Sequence, residues 1–299
     1  MMAVFVPGVI IIFLLTGILL MGAVSLRGVN RLIRRRVPDA PSDPARYGLT
    51  YEEVTFPSRD GLTLRGWFIP APEAKGTVIF CHGHAGSMDP DVKYVPAFHE
   101  RGYNVLMFDF RGHGRSEGQY VSMGCYERQD LLGAVDYLRS RGIDRVGVLG
   151  FSMGGAVAMA TAPHTEAIRA VVSDGGFARL SDVVTAGMRT RGLPGFLALL
   201  GGHLFVGLMG LRLGCSPREA DPIRWVGKIA PRALFIIHGA LDPFVTVAQA
   251  RQLYAAAGEP KEIWIAPEAG HREVDRHYPE EYRRRVLAFF DRWLIEGEG

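Results

Sequence analysis

Cysteine is scarce in this 299-residue chain: Cys81, Cys125 and Cys215 stand alone and far apart. Three scattered thiols exclude a disulfide framework, and the lack of any C-x-x-C pair speaks against a structural zinc site. Charge is missing altogether from Ala3 to Leu26, and acidic residues are missing until Asp39. The formal net charge is only +3, and Arg27, Arg31, Arg34, Arg35 and Arg36 account for it, leaving the remainder near neutral. That basic cluster is local and has no interleaved aromatics, so a nucleic-acid surface is not expected. Internal repeats are absent, as are low-complexity tracts outside one short Pro-rich stretch.

The uncharged N-terminal run comprises about 24 residues, which at roughly 1.5 Å each suffice to span a bilayer core. A cleaved signal peptide carries a basic start and a shorter apolar segment, whereas this chain begins Met-Met-Ala-Val. Residues 1–36 are therefore expected to form an uncleaved single-pass anchor with a basic juxtamembrane segment. Arginines on its C-terminal side place the domain that follows on the cytoplasmic face, where Arg27–Arg36 also suit anionic headgroups. Residues 37–48, with Pro38, Pro41 and Pro44, read as a stiff linker. Residues 49–299 form the globular part, long enough to bury a substantial core.

Within it, strand patterns fall near 51–56, 62–69, 77–81, 104–109, 145–149, 168–173, 233–238 and 262–266. Helical patterns fall near 92–101, 124–141, 153–162, 246–257 and 279–295. The first two strands meet without an intervening helix, as in an antiparallel edge hairpin. The alternation that follows predicts an α/β domain with a mostly parallel sheet and helices on both faces. Residues 192–211 break the alternation with an uncharged run in which His203 is the only strongly polar side chain. A second membrane span there would leave the last two strands across the bilayer, and five internal glycines weaken one continuous helix. The segment reads as an apolar cap, spanning about 177–220 with its flanks and dipping toward the membrane interface, or as an ordinary buried excursion.

Chemistry concentrates at Gly150-Phe151-Ser152-Met153-Gly154. The apolar run Arg145–Leu149 enters it and the small-residue helix pattern Gly155–Ala160 leaves it. Glycines at 150 and 154 permit the sharp strand-to-helix turn that projects the Ser152 hydroxyl outward. A serine hydroxyl needs a base, and His271 follows the final strand pattern through the turn Ala266–Gly270. Asp242, in His238-Gly239-Ala240-Leu241-Asp242, follows the preceding strand and can orient that imidazole. Asp174, after Val171-Val172-Ser173, is the competing acid. Serine, then aspartate, then histidine, each just past a strand end, is the order that hydrolytic α/β folds use. For the oxyanion, the expected donors are the backbone N–H of Met153 and that of His84 in His82-Gly83-His84-Ala85-Gly86, with Ala85 as the fallback. His82 is expected to bond neighbouring backbone. Asp109 to Ser116, which also contains His113, reads as loop scaffolding in which Asp109 and Arg111 orient nearby backbone.

With these motifs in order, residues 50–296 resemble the α/β-hydrolase superfamily, and within it the single-anchor membrane proteins that include lysophospholipases, acylglycerol lipases and protein depalmitoylases. The resemblance implies an eight-stranded sheet, no cofactor and no metal, and ester or thioester substrates. The loop after the third strand departs from the Gly-rich run of many lipases, and the cap matches no substrate signature. The expected function is a membrane-anchored serine hydrolase of acyl esters, lipid-derived ones in particular. A peptidase or amidase on the same triad, a protein-acyl thioesterase and a non-catalytic binding module of the same fold are the alternatives.

Overall fold

A computed structural model describes residues 5–84 and 86–296. Eight strands form one sheet: β1 (Glu52–Pro57), β2 (Thr63–Ile69), β3 (Gly76–Cys81), β4 (Tyr103–Phe108), β5 (Val146–Phe151), β6 (Ile168–Asp174), β7 (Ala233–Gly239) and β8 (Lys261–Ala266). Their order is β1-β2-β4-β3-β5-β6-β7-β8. β2 runs antiparallel to both β1 and β4, and every other neighbouring pair is parallel. The expected edge hairpin and mostly parallel sheet are thus present.

Ten α-helices are described: α1 (Phe5–Ile33), α2 (Val95–Glu100), α3 (Glu127–Ser140), α4 (Met153–Thr161), α5 (Leu180–Arg189), α6 (Gly195–Leu213), α7 (Pro217–Ala220), α8 (Val247–Ala256), α9 (Val274–His277) and α10 (Pro279–Phe290). Side chains that alternate along a strand explain why the inner strands read as unbroken apolar runs. On β7, Leu234 and Ile236 enter one core while Ala233, Phe235 and Ile237 enter the core on the opposite face. β5, at the centre, is buried at all six positions. Its C-terminal end therefore projects from the most constrained part of the sheet, which is where Ser152 sits.

The N-terminal region joins this core. Val29 and Ile33, one turn apart on α1, are essentially without exposure. The Pro-rich segment lies along the loop that follows β3. There the Asp39 carboxylate accepts from the Gly86 and Ser87 N–H groups at 2.8 and 2.9 Å, and Asp89 accepts from the Ser42 N–H.

The cap differs from its sequence reading. Its glycines argued against a continuous helix, yet α6 runs unbroken for 19 residues. They act as contact points: a Cβ on Gly202 would stand 2.2 Å from Thr185 Oγ1, and one on Gly201 2.7 Å from Met188 Sδ. Both partners lie on α5, so close helix packing offsets the roughly 1 kcal/mol per glycine that propensity charges against the helix. α6 is long and apolar enough to cross a membrane by length and composition.

Candidate active site

Ser152 occupies a backbone conformation of φ 52° and ψ −113° between β5 and α4. A side chain rarely adopts it, and the surroundings enforce it. The Ser152 N–H donates to the Asp174 carbonyl at 2.7 Å, and its own carbonyl accepts from the Ala156 N–H. A Cβ on Gly154 would lie 2.0 Å from the Cys81 carbonyl oxygen, and one on Gly150 2.5 Å from that of Gly154. Only glycine lets β5 turn into α4 this closely beneath β3.

The structure brings Ser152, His271 and Asp242 together. Ser152 Oγ lies 2.9 Å from His271 Nε2, and His271 Nδ1 lies 2.6 Å from Asp242 Oδ2. An ionised carboxylate only accepts, so Nδ1 carries the proton and Nε2 offers its lone pair to the hydroxyl. Asp242 Oδ1 accepts from the Phe244 and Val245 N–H groups at 2.8 and 2.9 Å. Burial alone would raise the Asp242 carboxyl. The hydrogen bond and charge of His271, joined by those two amides, outweigh burial and hold it below the usual carboxylate range. The acid is thus kept ionised, oriented and out of solvent, while His271 stays partly accessible. Such a chain can draw a proton off a hydroxyl as it attacks.

Asp174 is placed elsewhere. It accepts from the Tyr282 hydroxyl at 2.9 Å and makes no hydrogen bond to His271. Burial pushes its carboxyl up to about 6, against the Arg272 charge and the Tyr282 bond.

Met153 opens α4, where the first N–H groups of a helix lack intrahelical acceptors. Gly83 lies against Ser152: a Cβ there would stand 3.3 Å from Ser152 Cβ. Neither the Met153 N–H nor the His84 N–H has a backbone acceptor among the described residues. Ala85 lies outside the described residues. The His84 imidazole turns away to the Leu32 carbonyl at 3.0 Å. His82 donates from Nδ1 to the Gly83 carbonyl and accepts the Phe110 N–H at Nε2, a bond pattern confined to backbone. Asp109 receives the Met88 and Arg115 N–H groups, whereas Arg111 pairs with the carboxylates of Asp130 and Asp60 rather than with backbone acceptors.

The residues that sequence reasoning missed support the others. Arg272, directly after His271, adopts φ 56° and donates to Asp91 at 2.6 Å, with its guanidinium 4.2 Å from the Phe151 ring centroid. Asp39 holds the loop containing His84. Nothing local marks Arg272, but Asp39 carries a faint signal as the first acid after five arginines.

Residues 76–198 match the model of the family described as the alpha/beta hydrolase fold. The uncharacterized protein YfhR of Escherichia coli O157:H7 is 31% identical over 250 residues, covering 80% of each chain. The alpha/beta hydrolase domain-containing protein WAV2 of Arabidopsis thaliana is 30% identical over 268 residues, 86% of this chain and 83% of its own. The chain belongs to the α/β-hydrolase superfamily. Among solved structures, the Pyrococcus furiosus esterase Pf2001 superposes on this α/β-hydrolase with a TM-score of 0.72 and 28% identity, over 87% of this chain and 98% of its own. The acylaminoacyl peptidase of Pyrococcus horikoshii, at 19% identity and a TM-score of 0.62, shares the fold.

Proposed function

We propose that this α/β-hydrolase is a membrane-anchored serine esterase that cleaves acyl esters of lipid origin through an acyl-enzyme. The observation that carries the reading is the Ser152–His271–Asp242 chain, with bonds of 2.9 and 2.6 Å, on a backbone that fixes the hydroxyl. Ser152 Oγ attacks the ester carbonyl carbon while His271 Nε2 takes its proton. The developing oxyanion is received by the Met153 and His84 N–H groups, each worth roughly 3 kcal/mol in such sites. His271 returns the proton to the departing alcohol, leaving the acyl group on Ser152. Water, deprotonated by His271, then releases the acid and restores the serine. Asp242 stabilises the imidazolium in both halves.

The likeness to the Pyrococcus furiosus esterase supports an ester over an amide. Exposed Leu241 and Phe244 support an apolar substrate, Phe244 standing edge-on to His271 at 5.5 Å. The long uncharged start of α1, followed by exposed Arg27, Arg31 and Arg34, supports a single-pass anchor with the domain on the cytoplasmic side.

Hydrolysis of p-nitrophenyl esters with acyl chains from acetate to palmitate, in detergent, tests the reading with wild type and Ser152→Ala. Turnover that peaks at medium or long chains and vanishes in the variant is expected. A strict acetate optimum would remove the lipid assignment. Activity that survives the substitution would remove Ser152 as nucleophile. A reporter fused to the C-terminus and active only outside the cytoplasm tests the orientation, and signal from it would reverse the placement.

A further inference from the structure

α1 and α6 pack side by side and run in the same direction. Gly28 meets Phe205, since a Cβ there would stand 2.8 Å from that ring. Just past the end of α1, the Arg34 backbone bridges to that of Tyr120, whose hydroxyl accepts from Arg212 of α6 at 3.3 Å. Equal rise along both helices then carries Leu19 to the level of Phe196 and Ala23 to the level of Leu200. At that level both helices expose apolar side chains. Leu19, Leu20 and Val24 are 74, 64 and 59% exposed, and Phe196, Leu199 and Leu200 are 72, 49 and 59% exposed. Soluble domains bury such clusters or use them.

The position of this surface along α1 says what covers it. From Phe5, roughly 30 Å of hydrocarbon is crossed in about 20 residues of α1, which ends near Val24. Leu19 to Val24 therefore stand at the domain-side boundary of the bilayer, and the matched level of α6 stands there too. A soluble partner docked on Phe196 and Leu200 would occupy the volume that lipid fills around α1. The flanking charge agrees with lipid. Exposed Arg27 and Arg31 follow the apolar surface on the domain side of α1, where phosphates lie.

We propose that the N-terminal end of α6, with the α5–α6 turn, is a second membrane contact that inserts at the bilayer boundary beside α1. It rests on the anchor reading above and adds to it. A single spanning helix leaves a domain free to swing, whereas two contacts fix one face of the cap against lipid, the phase from which an acyl ester arrives.

The test uses the full chain in vesicles of mixed phosphatidylcholine and phosphatidylglycerol. Phe196→Trp adds an indole to the four native ones, and lipids brominated near the top of the acyl chain quench indoles at that depth. The added fluorescence is expected to fall by about half or more. An added signal unaffected by bromine overturns the proposal. The triple variant Phe196→Ser, Leu199→Ser, Leu200→Ser is expected to hydrolyse a vesicle-embedded long-chain ester about fivefold more slowly, with p-nitrophenyl acetate turnover unchanged. Equal vesicle rates would also overturn it. If self-association of wild type disappears in the triple variant while quenching is absent, the surface belongs to a second copy and the lipid assignment falls. Carbonate extraction separates the two readings. Wild type that stays in the pellet without quenching sinks only the α6 contact, and wild type that washes off sinks the anchor and the contact together.

Discussion

The imidazole of His84 is bonded through Nε2 to the main-chain carbonyl of Leu32, 3.0 Å away. A loop flanking Ser152 is thereby tied to the helix that precedes the whole α/β domain. Burial and the nearby Arg36 charge push His84 down to about 4, against the opposing pull of that carbonyl.

A depressed histidine sets a pH dependence of known sign. Unfolded, His84 takes up a proton near pH 6.5; folded, it resists until about 4. The unfolded chain binds more protons in between, so stability is full above 6.5 and falls as the pH drops toward 4. The loss should reach about 3 kcal/mol near pH 4, and His84→Gln should remove it. Denaturant unfolding at a series of pH values measures this; identical slopes for both proteins would dissociate His84 from the effect.

Asp39→Ala deprives the Gly86 and Ser87 N–H groups of their charged acceptor and frees the loop that presents His84. Misplaced donors reduce transition-state stabilisation more than substrate binding, so kcat should fall about tenfold with KM nearly unchanged. Asp39→Asn retains one acceptor oxygen and should lose about threefold. Steady-state kinetics on one soluble ester separates the two constants, and a change confined to KM would contradict this role.

The two candidate acids give opposite outcomes. Asp242→Asn should reduce kcat by about 10⁴, because the imidazole loses the partner that sets its tautomer. Asp174→Asn should leave kcat within about threefold, since Asp174 bonds Tyr282 instead. Its carboxyl is raised to about 6, chiefly by burial, so it lowers folded stability as pH climbs from the usual carboxylate range through 6. Asp174→Asn should accordingly stabilise the protein by about 1–2 kcal/mol at pH 8 and have no such effect near pH 4. Melting curves at the two pH values check it.

Gly154→Ala places a methyl 2.0 Å from the Cys81 carbonyl oxygen, a contact that rigid β3 cannot relieve. The expected cost is about 3 kcal/mol, visible as a lowered denaturation midpoint. A midpoint equal to that of wild type would mean that the turn has slack.

What could be read from the sequence is what is local. Ser152 follows its apolar run directly, and Asp242 and His271 lie a few residues past theirs, so strand, strand end and reactive side chain were visible among neighbouring residues. Asp39 and Gly86 are separated by 47 positions, and no pattern links them before the chain folds. Glycines in α6 were misleading for a related reason. Propensity weighs them one at a time, whereas α5 supplies the Thr185 and Met188 side chains that make them fit. Arg272 was invisible because its role depends on Asp91 and Phe151, both remote in sequence.

Arg272 sits between three segments remote from one another in sequence. It belongs to the turn carrying the base, bonds Asp91 in the loop after β3, and stacks on the last residue of β5. Grafting the His271 turn from a relative without its companion loop would leave Asp91 buried and unpaired, at a cost of several kcal/mol. The transplantable unit of this active site is the pair of loops that share the arginine, and chimaeras that exchange either one alone should lose the fold before they gain a new substrate.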